Sequence, residues 1–329
     1  MKSRNSQPVP GVRKLPFSRI PPAIFPVLLG MLGVGMFWQR FAGLNDWNAT
    51  PFAVVNAAMS AFFIFCALAY GTKFLRRFGV FDEDRLTLPG RGGLAAASMC
   101  VMLVSAIVAP YAPEMSAFLL IYGLVQHVLY GGFVLNDLRF GPPGTPRATP
   151  ILHLVFAGVV VAPATAVFHG WTMLAEILMW YTVFVAIVVS IVTLPYLFGT
   201  KEKEWLRPLH GIHLSPTGLG ASAAFLLGTD WLGWLMLAWA TIVAICLIGR
   251  LRWVLEGGFS GFWSAFTFPM AAFSGGWLSA AETTGSGLLF ALAGALGLIA
   301  TAITLYVAVR VGRLWSSGVL AEKTNAARA

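Results

Sequence analysis

Charged side chains are scarce in this sequence, and long apolar runs take their place. Only 11% of the 329 residues are charged, whereas 58% are hydrophobic, and the mean hydropathy is +0.77. Because soluble domains carry about 25% charged residues, a soluble fold would leave much of this apolar surface in water. The composition therefore predicts an integral membrane protein and argues against a soluble enzyme.

Residues typical of catalytic, metal and cofactor sites are also few. The three cysteines lie in apolar runs at unrelated spacings, as small core residues do. The sequence has no Gly-x-x-x-x-Gly-Lys loop, no His-Glu-x-x-His and no Gly-x-Ser-x-Gly. His210 and His213 would share a helix face, but without a nearby carboxylate or thiol we interpret them as interfacial residues. We therefore predict no enzyme activity, no cofactor and no metal site.

Ten apolar segments make up most of the chain. They cover about residues 22–41, 51–73, 94–110, 115–137, 150–168, 171–195, 209–228, 231–253, 260–280 and 284–309. Most reach the roughly 17–25 residues that a spanning helix needs, and the third is the shortest. Short connections alternate with longer, charged ones, a pattern that predicts five antiparallel helical hairpins.

The basic residues predict the orientation of these segments. All 22 Lys and Arg residues except Arg40 lie in the tails, the long connections or the adjoining segment ends. By the positive-inside rule, both termini are cytoplasmic, as expected for a multi-pass protein of the bacterial inner (plasma) membrane. The net charge of +9 then reflects topology, and nucleic acid is not a predicted partner. We assign residues 1–20 and 313–329 to cytoplasmic tails and residues 21–312 to the transmembrane domain.

Prolines recur at a fixed interval. Pro110, Pro163, Pro216 and Pro269 are each 53 residues apart in odd-numbered segments, and Pro26 adds a fifth out of register. A proline inside a helix removes a backbone hydrogen bond and kinks it, which is tolerated beside a neighbour or a water-filled cavity. We predict an all-α fold in which five kinked helices form an inner ring and five even-numbered helices surround it. The alternative is coincidence, because prolines are common in spanning helices.

Residues 261–276 of the ninth segment contain a candidate gate. At helical spacing, one face is small except for a single large ring, Phe268. The large face consists of Phe262, Phe266, Met270 and Phe273, and the small face of Gly261, Ser264, Ala265, Ala272 and Gly275. One ring on a small-residue face predicts a plug in a narrow conduit. Phe266 is the second choice, and since it lies about 200° from Phe268 on a helix, both cannot face one conduit.

Few ionisable residues lie within the apolar segments. His127 lies midway along the fourth segment and Glu176 near the outer end of the sixth. Ionisable groups at membrane depth are functional candidates by default. For His127, on a predicted outer helix, we favour an interhelical hydrogen bond over a proton relay. The inner helices offer small residues and hydroxyls such as Ser215, which suit a conduit with weak binding.

Three stretches resemble the tellurite-resistance/dicarboxylate transporter family, whose TehA-like members include the plant slow-type anion channels. They are residues 25–38, residues 207–216 and residues 264–269, the last being similar to a ninth-helix motif that ends in Phe-Pro. Ser264 stands where the family commonly has Trp. The likeness extends over residues 21–312.

The resemblance implies five hairpins in a quasi-fivefold array, with odd-numbered helices lining a pore in each protomer of a homotrimer. It also implies a ninth-helix phenylalanine that closes the pore, which is Phe268 here. Together with the proline pattern, it gives these pore-lining or kink residues: Pro26, Gly30, Pro110, Pro163, Ser215, Pro216, Ala265, Pro269 and Ala272. The implied substrates are small anions: chloride- or nitrate-like ions, tellurite, sulfite or C4-dicarboxylates.

Two alternatives stay open at this point. One is a proton-coupled dicarboxylate or sulfite carrier that uses His127 or Glu176. The other is a membrane sensor or assembly subunit that conducts nothing. The sequence also leaves anion preference unexplained, since no Lys or Arg lies deep in a segment.

Overall fold

The structure, a computed structural model, describes residues 17–142, 148–199 and 202–329, which contain α-helices and 3-10 helices but no strand. The α-helices are α1 (Phe25–Leu44), α2 (Thr50–Arg76), α3 (Val80–Leu86), α4 (Leu88–Val108), α5 (Pro113–Phe140), α6 (Ile151–Phe156), α7 (Pro163–Phe168), α8 (Thr172–Thr193), α9 (Pro195–Phe198), α10 (Leu214–Leu226), α11 (Asp230–Gly249), α12 (Leu251–Leu255), α13 (Thr267–Thr284), α14 (Gly287–Ser316) and α15 (Val319–Lys323). The 3-10 helices are Pro22–Ile24, Gly158–Val161, Glu204–His213 and Gly261–Phe266. Most of the predicted amino-terminal tail, residues 1–16, lies outside the described residues.

All ten predicted apolar segments are helical. Seven helical segments among the described residues are long and apolar enough to cross a membrane: Pro22–Leu44, α2, α4, α5, Thr172–Phe198, α11 and α14. The other three, residues 151–168, 204–226 and 261–284, are interrupted because a 3-10 stretch precedes their last α-helix. The prediction of an all-α integral membrane fold is confirmed.

The odd-numbered segments form a closed inner ring. We call α1, α4 and the three interrupted segments the inner segments; each packs against the next, and residues 261–284 return to α1. The outer helices α2, α5, α8, α11 and α14 each pack on their own hairpin partner and on the following inner segment. This contact pattern is the predicted quasi-fivefold array of hairpins.

Burial separates the two layers. The most apolar stretches of α1 and α4 are 67% and 72% buried, whereas those of α2 and α14 are 28% buried. Large apolar side chains such as Leu68, Phe184 and Leu298 are exposed on outer helices. An apolar exterior of this kind is expected where helices face lipid, because their backbone groups are already hydrogen-bonded within each helix.

Four of the five repeated prolines lie at helix starts. Pro26, Pro163, Pro216 and Pro269 are within the first three residues of α1, α7, α10 and α13, shortly after 3-10 stretches. Proline fits there because the first turn of a helix does not use its N–H group. Pro110 differs: α4 ends at Val108, and Pro110 is exposed in the following turn. The prediction that Pro110 kinks or lines the pore is therefore wrong.

The two ends of the bundle differ in their connections. We call the end that contains residues 17–20 and the carboxyl terminus the terminal side. The opposite end, which contains the short hairpin turns, is the far side. Gly170, Gly228 and Gly285 end three of these turns with φ between 65° and 74°, a left-handed conformation that glycine adopts without strain. On the terminal side, α14 continues to Ser316, beyond the predicted end of the transmembrane domain.

Candidate conduit and gate

The inner ring encloses two cavities, which follow each other along the axis of the ring. The terminal-side vestibule has a volume of about 480 Å³, and the far-side vestibule has a volume of about 390 Å³. Each inner segment contributes to both; α1, for example, contributes Leu29 to the first and Gly33 to the second. The two vestibules therefore lie on one path through the ring.

Phe268 borders both vestibules. Among the described residues, it is the one side chain that lines both cavities, and it is only 3% exposed. Its buried ring is therefore part of the wall of both vestibules.

Glycines on α1 allow the segment that carries Phe268 to approach closely. A Cβ atom at Gly33 would lie 2.7 Å from Cδ2 of Phe268, and one at Gly30 would lie 2.3 Å from Oγ1 of Thr267. Thr267 begins α13, and its hydroxyl donates to the carbonyl oxygens of Ser264 at 2.8 Å and Pro26 at 3.3 Å. These contacts fix the start of α13 against α1 and set the height of the Phe268 ring.

Phe266 faces a different neighbour. A Cβ atom at Gly211 would lie 2.7 Å from Cδ1 of Phe266, so this ring packs against the 3-10 stretch of the seventh segment. Among the described residues lining the two vestibules, Phe266 is not included. The two phenylalanines therefore have separate surroundings, as their angular separation on a helix predicts.

Most of the other predicted pore residues lie beside a vestibule. Pro26, Ala265 and Pro269 line the terminal-side vestibule, and Pro163 and Ala272 line the far-side vestibule. Gly30, Ser215 and Pro216 are buried on inner segments but are not among the described residues that line either one. This differs from the expectation, and for Gly30 the reason is that Thr267 packs directly against it.

The far-side vestibule contains one ion pair. Arg40 lines it, donates from Nη1 to Oγ of Ser279 at 2.9 Å, and forms an ion pair with Glu282, which lines the same vestibule. Arg40, the one basic residue outside the tails, the long connections and the adjoining segment ends, thus lies at the far-side vestibule beside the acidic side chain of Glu282.

The candidate proton-linked residues lie away from the vestibules. His127 is 1% exposed, and its Nδ1 atom is 2.7 Å from Oγ of Ser98 on α4, an interhelical hydrogen bond. Glu176 is exposed on α8. Neither is among the described residues that line the two vestibules.

The other buried histidines form a cluster that the sequence did not indicate. His153 Nε2 lies 2.8 Å from His213 Nδ1, and His210 Nε2 lies 2.6 Å from Oε2 of Glu202. The sequence shows no carboxylate next to His210 and His213, but chain folding brings Glu202 to His210 and His153 to His213. Among the described residues, no group of three or more His, Cys, Asp or Glu side chains is arranged to hold a metal ion.

A second polar cluster also lies on the terminal side. Lys73 Nζ is 2.7 Å from Oδ2 of Asp84, and both side chains are completely buried. Lys73 also donates to the carbonyl oxygen of Ile20 at 3.0 Å, and the Tyr70 hydroxyl donates to Asp84 at 3.0 Å. Lys73 and Asp84 belong to different helices and show no motif, so sequence reasoning missed this pair.

These features define a multi-pass membrane protein with a path through a ring of inner helices. Residues 19–311 match the family model for voltage-dependent anion channels, SLAC1, and a comparison with curated proteins gives no match. Because the family match spans most of the chain, the protein belongs to this family of membrane anion channels or transporters. The resemblance identified from the sequence is confirmed.

Proposed function

We propose that the protein passes small anions through the path between the two vestibules and that the Phe268 ring closes it. The observation that carries this proposal is that Phe268 alone, among the described residues, lines both vestibules. An apolar constriction of this kind gates by excluding water, and hence hydrated ions, until the ring moves.

The vestibules accommodate the whole range of candidate anions. Volumes of about 480 and 390 Å³ are in the range of small-molecule sites, so both admit a C4-dicarboxylate as well as chloride- or nitrate-like ions, sulfite or tellurite. The walls are mostly apolar or small, which supports weak binding and fast passage.

The orientation and assembly belong to the same proposal. The positive-inside rule favours a cytoplasmic terminal side in a bacterial inner membrane, with residues 21–312 as the transmembrane domain. The family resemblance favours a homotrimer in which every protomer has its own pore.

An anion-substitution series on purified, reconstituted protein tests the function. Liposomes containing wild type or Phe268→Ala are loaded in turn with chloride, nitrate, sulfite, tellurite and malate, and efflux of each is measured. We expect electrogenic anion efflux in Phe268→Ala that needs no pH gradient.

The same series separates the alternatives. Uptake that requires a pH gradient and disappears in His127→Gln would replace the channel by a proton-coupled carrier. Absence of flux for every anion, in wild type and in Phe268→Ala, would leave a non-conducting sensor or assembly subunit.

A further inference from the structure

The end of the chain lies across the mouth of the terminal-side vestibule. We call residues 319–329, which include α15, the carboxyl-terminal strap. Leu320 and Ala326 are only 1% and 7% exposed, so the strap packs against the bundle. Four of its residues line the vestibule: Leu320, Lys323, Thr324 and Asn325.

Polar contacts hold the strap in place on both sides of the mouth. They are Ala327 N to Asp84 Oδ1 at 2.8 Å, Arg77 Nε to the Arg328 carbonyl at 2.6 Å, Ala329 N to the Ser18 carbonyl at 2.9 Å, and Arg19 Nη1 to Glu322 Oε1 at 3.5 Å. The strap is thus tied to the connection after α2, to α3 and to the stretch before α1.

The partners of the strap are themselves held in position. Asp84 is fixed by its buried ion pair with Lys73. Arg77 also donates from Nη2 to Oε2 of Glu83 at 2.8 Å, and this hydrogen bond lowers the pKa of the Glu83 carboxyl. Glu83 therefore stays ionised at neutral pH and keeps the Arg77 guanidinium directed to the strap.

The strap brings one positive charge to the vestibule. Lys323 is the only charged side chain among the described residues that line the terminal-side vestibule. It has no ion-pair partner among the described residues, since its neighbour Glu322 is directed to Arg19. Arg40 in the far-side vestibule, in contrast, is paired with Glu282.

We propose that Lys323 attracts anions into the terminal-side vestibule and that the carboxyl-terminal strap positions it for this purpose. The inference rests on the proposed function and supplies a positive charge to a vestibule whose other described lining side chains are uncharged. A unit charge about 10 Å from an ion in water changes the local ion concentration about twofold. The effect is weak enough to leave the ion free to pass.

Charge variants in the Phe268→Ala background test this inference. Lys323→Gln is compared with Arg328→Gln, which removes the same charge from the same strap but is not at a residue that lines the vestibule. Currents are recorded in planar bilayers at about 0.01 M and about 1 M salt, where the screening length falls from about 30 to about 3 Å.

We expect Lys323→Gln to reduce anion current from the terminal side about twofold at low salt and to have no effect at high salt. Lys323→Arg should conduct as the parent does, and Arg328→Gln should change little.

Three results would overturn the inference: equal losses in Lys323→Gln and Arg328→Gln, no loss in either, or a larger current in Lys323→Gln, which would make the strap an obstruction. If the Phe268→Ala parent carries no anion current at all, the proposed function fails and this inference fails with it. An unchanged current in Lys323→Gln beside a conducting parent refutes this inference alone.

Discussion

Removing the Phe268 ring tests the gate where the two vestibules meet. The ring is 3% exposed, and burying a side chain of this kind is worth about 1.5–3 kcal/mol. An open state that moves the ring into a water-filled vestibule loses about this free energy, so closed protein outnumbers open protein about 10- to 150-fold. Phe268→Ala removes the obstruction from every molecule, and we expect anion flux to rise by about that factor.

The assay is the initial rate of chloride efflux from liposomes, normalised to incorporated protein. Phe266→Ala is the matched control, because it deletes an identical ring that packs against Gly211 and is not one of the residues lining either vestibule. Thermal unfolding in detergent verifies that both variants are folded. No increase in Phe268→Ala, or the same increase in Phe266→Ala, would refute the assignment of the gate.

Three further substitutions, the first with its own control, test the gate contact, the far-side ion pair and the buried ion pair. Gly33→Ala places a Cβ atom 2.7 Å from the Phe268 ring; displacing the ring costs about 1–3 kcal/mol, and we expect chloride efflux to rise severalfold. Gly43→Ala lies on the same helix, and apart from its chain neighbours and its own helix backbone no atom is within 4 Å of the added Cβ atom, so this variant should leave the efflux unchanged. Glu282→Gln frees Arg40 from its ion pair, so anion current from the far side should rise about twofold at low salt. Asp84→Asn leaves a buried lysine without its partner, and thermal unfolding should show a loss of about 3–5 kcal/mol.

Two matched controls accompany the charge substitutions. Glu114→Gln removes an exposed acid of α5 that is not one of the described residues lining the far-side vestibule; an equal gain there would assign the effect to the surface as a whole. Asp82→Asn removes the 65% exposed member of an ion pair with Arg85 and should cost little, because exposed pairs contribute little. If it destabilises the protein as much as Asp84→Asn, burial of the Lys73 pair is not the cause.

The architecture was predictable because its determinants are local. Apolar length marks each spanning segment, and the alternation of short and charged connections gives the hairpins. The place of Phe268 beside both vestibules agrees with its being a single ring on a small-residue face, a feature visible at helical spacing, and its role as a gate stays a prediction. The structure adds the glycines of α1 that accommodate it.

The errors come from features that depend on where helices end and on contacts between distant residues. The interval of 53 residues placed Pro110 with the other prolines, but α4 stops two residues before it. Pro26, which is out of register, does share the position after a 3-10 stretch. The interval therefore marks a shared position for Pro163, Pro216 and Pro269 but not for Pro110.

The strap was beyond sequence reasoning for a related physical reason. A short basic tail resembles any solvated terminus, and its docking depends on Asp84, a buried acid far away in the chain. The same holds for the histidine cluster, in which His153 and His213 are 60 residues apart. Long-range polar pairs of this kind leave no periodic signal.

The reversal potential of Phe268→Ala tests the central claim most directly. Purified protein is placed in a planar bilayer with a potassium chloride gradient, and the voltage of zero current is measured at equal pH on both sides. An anion-selective path predicts a reversal potential close to the chloride equilibrium potential. A reversal potential close to that of potassium, or no current at all, would contradict it.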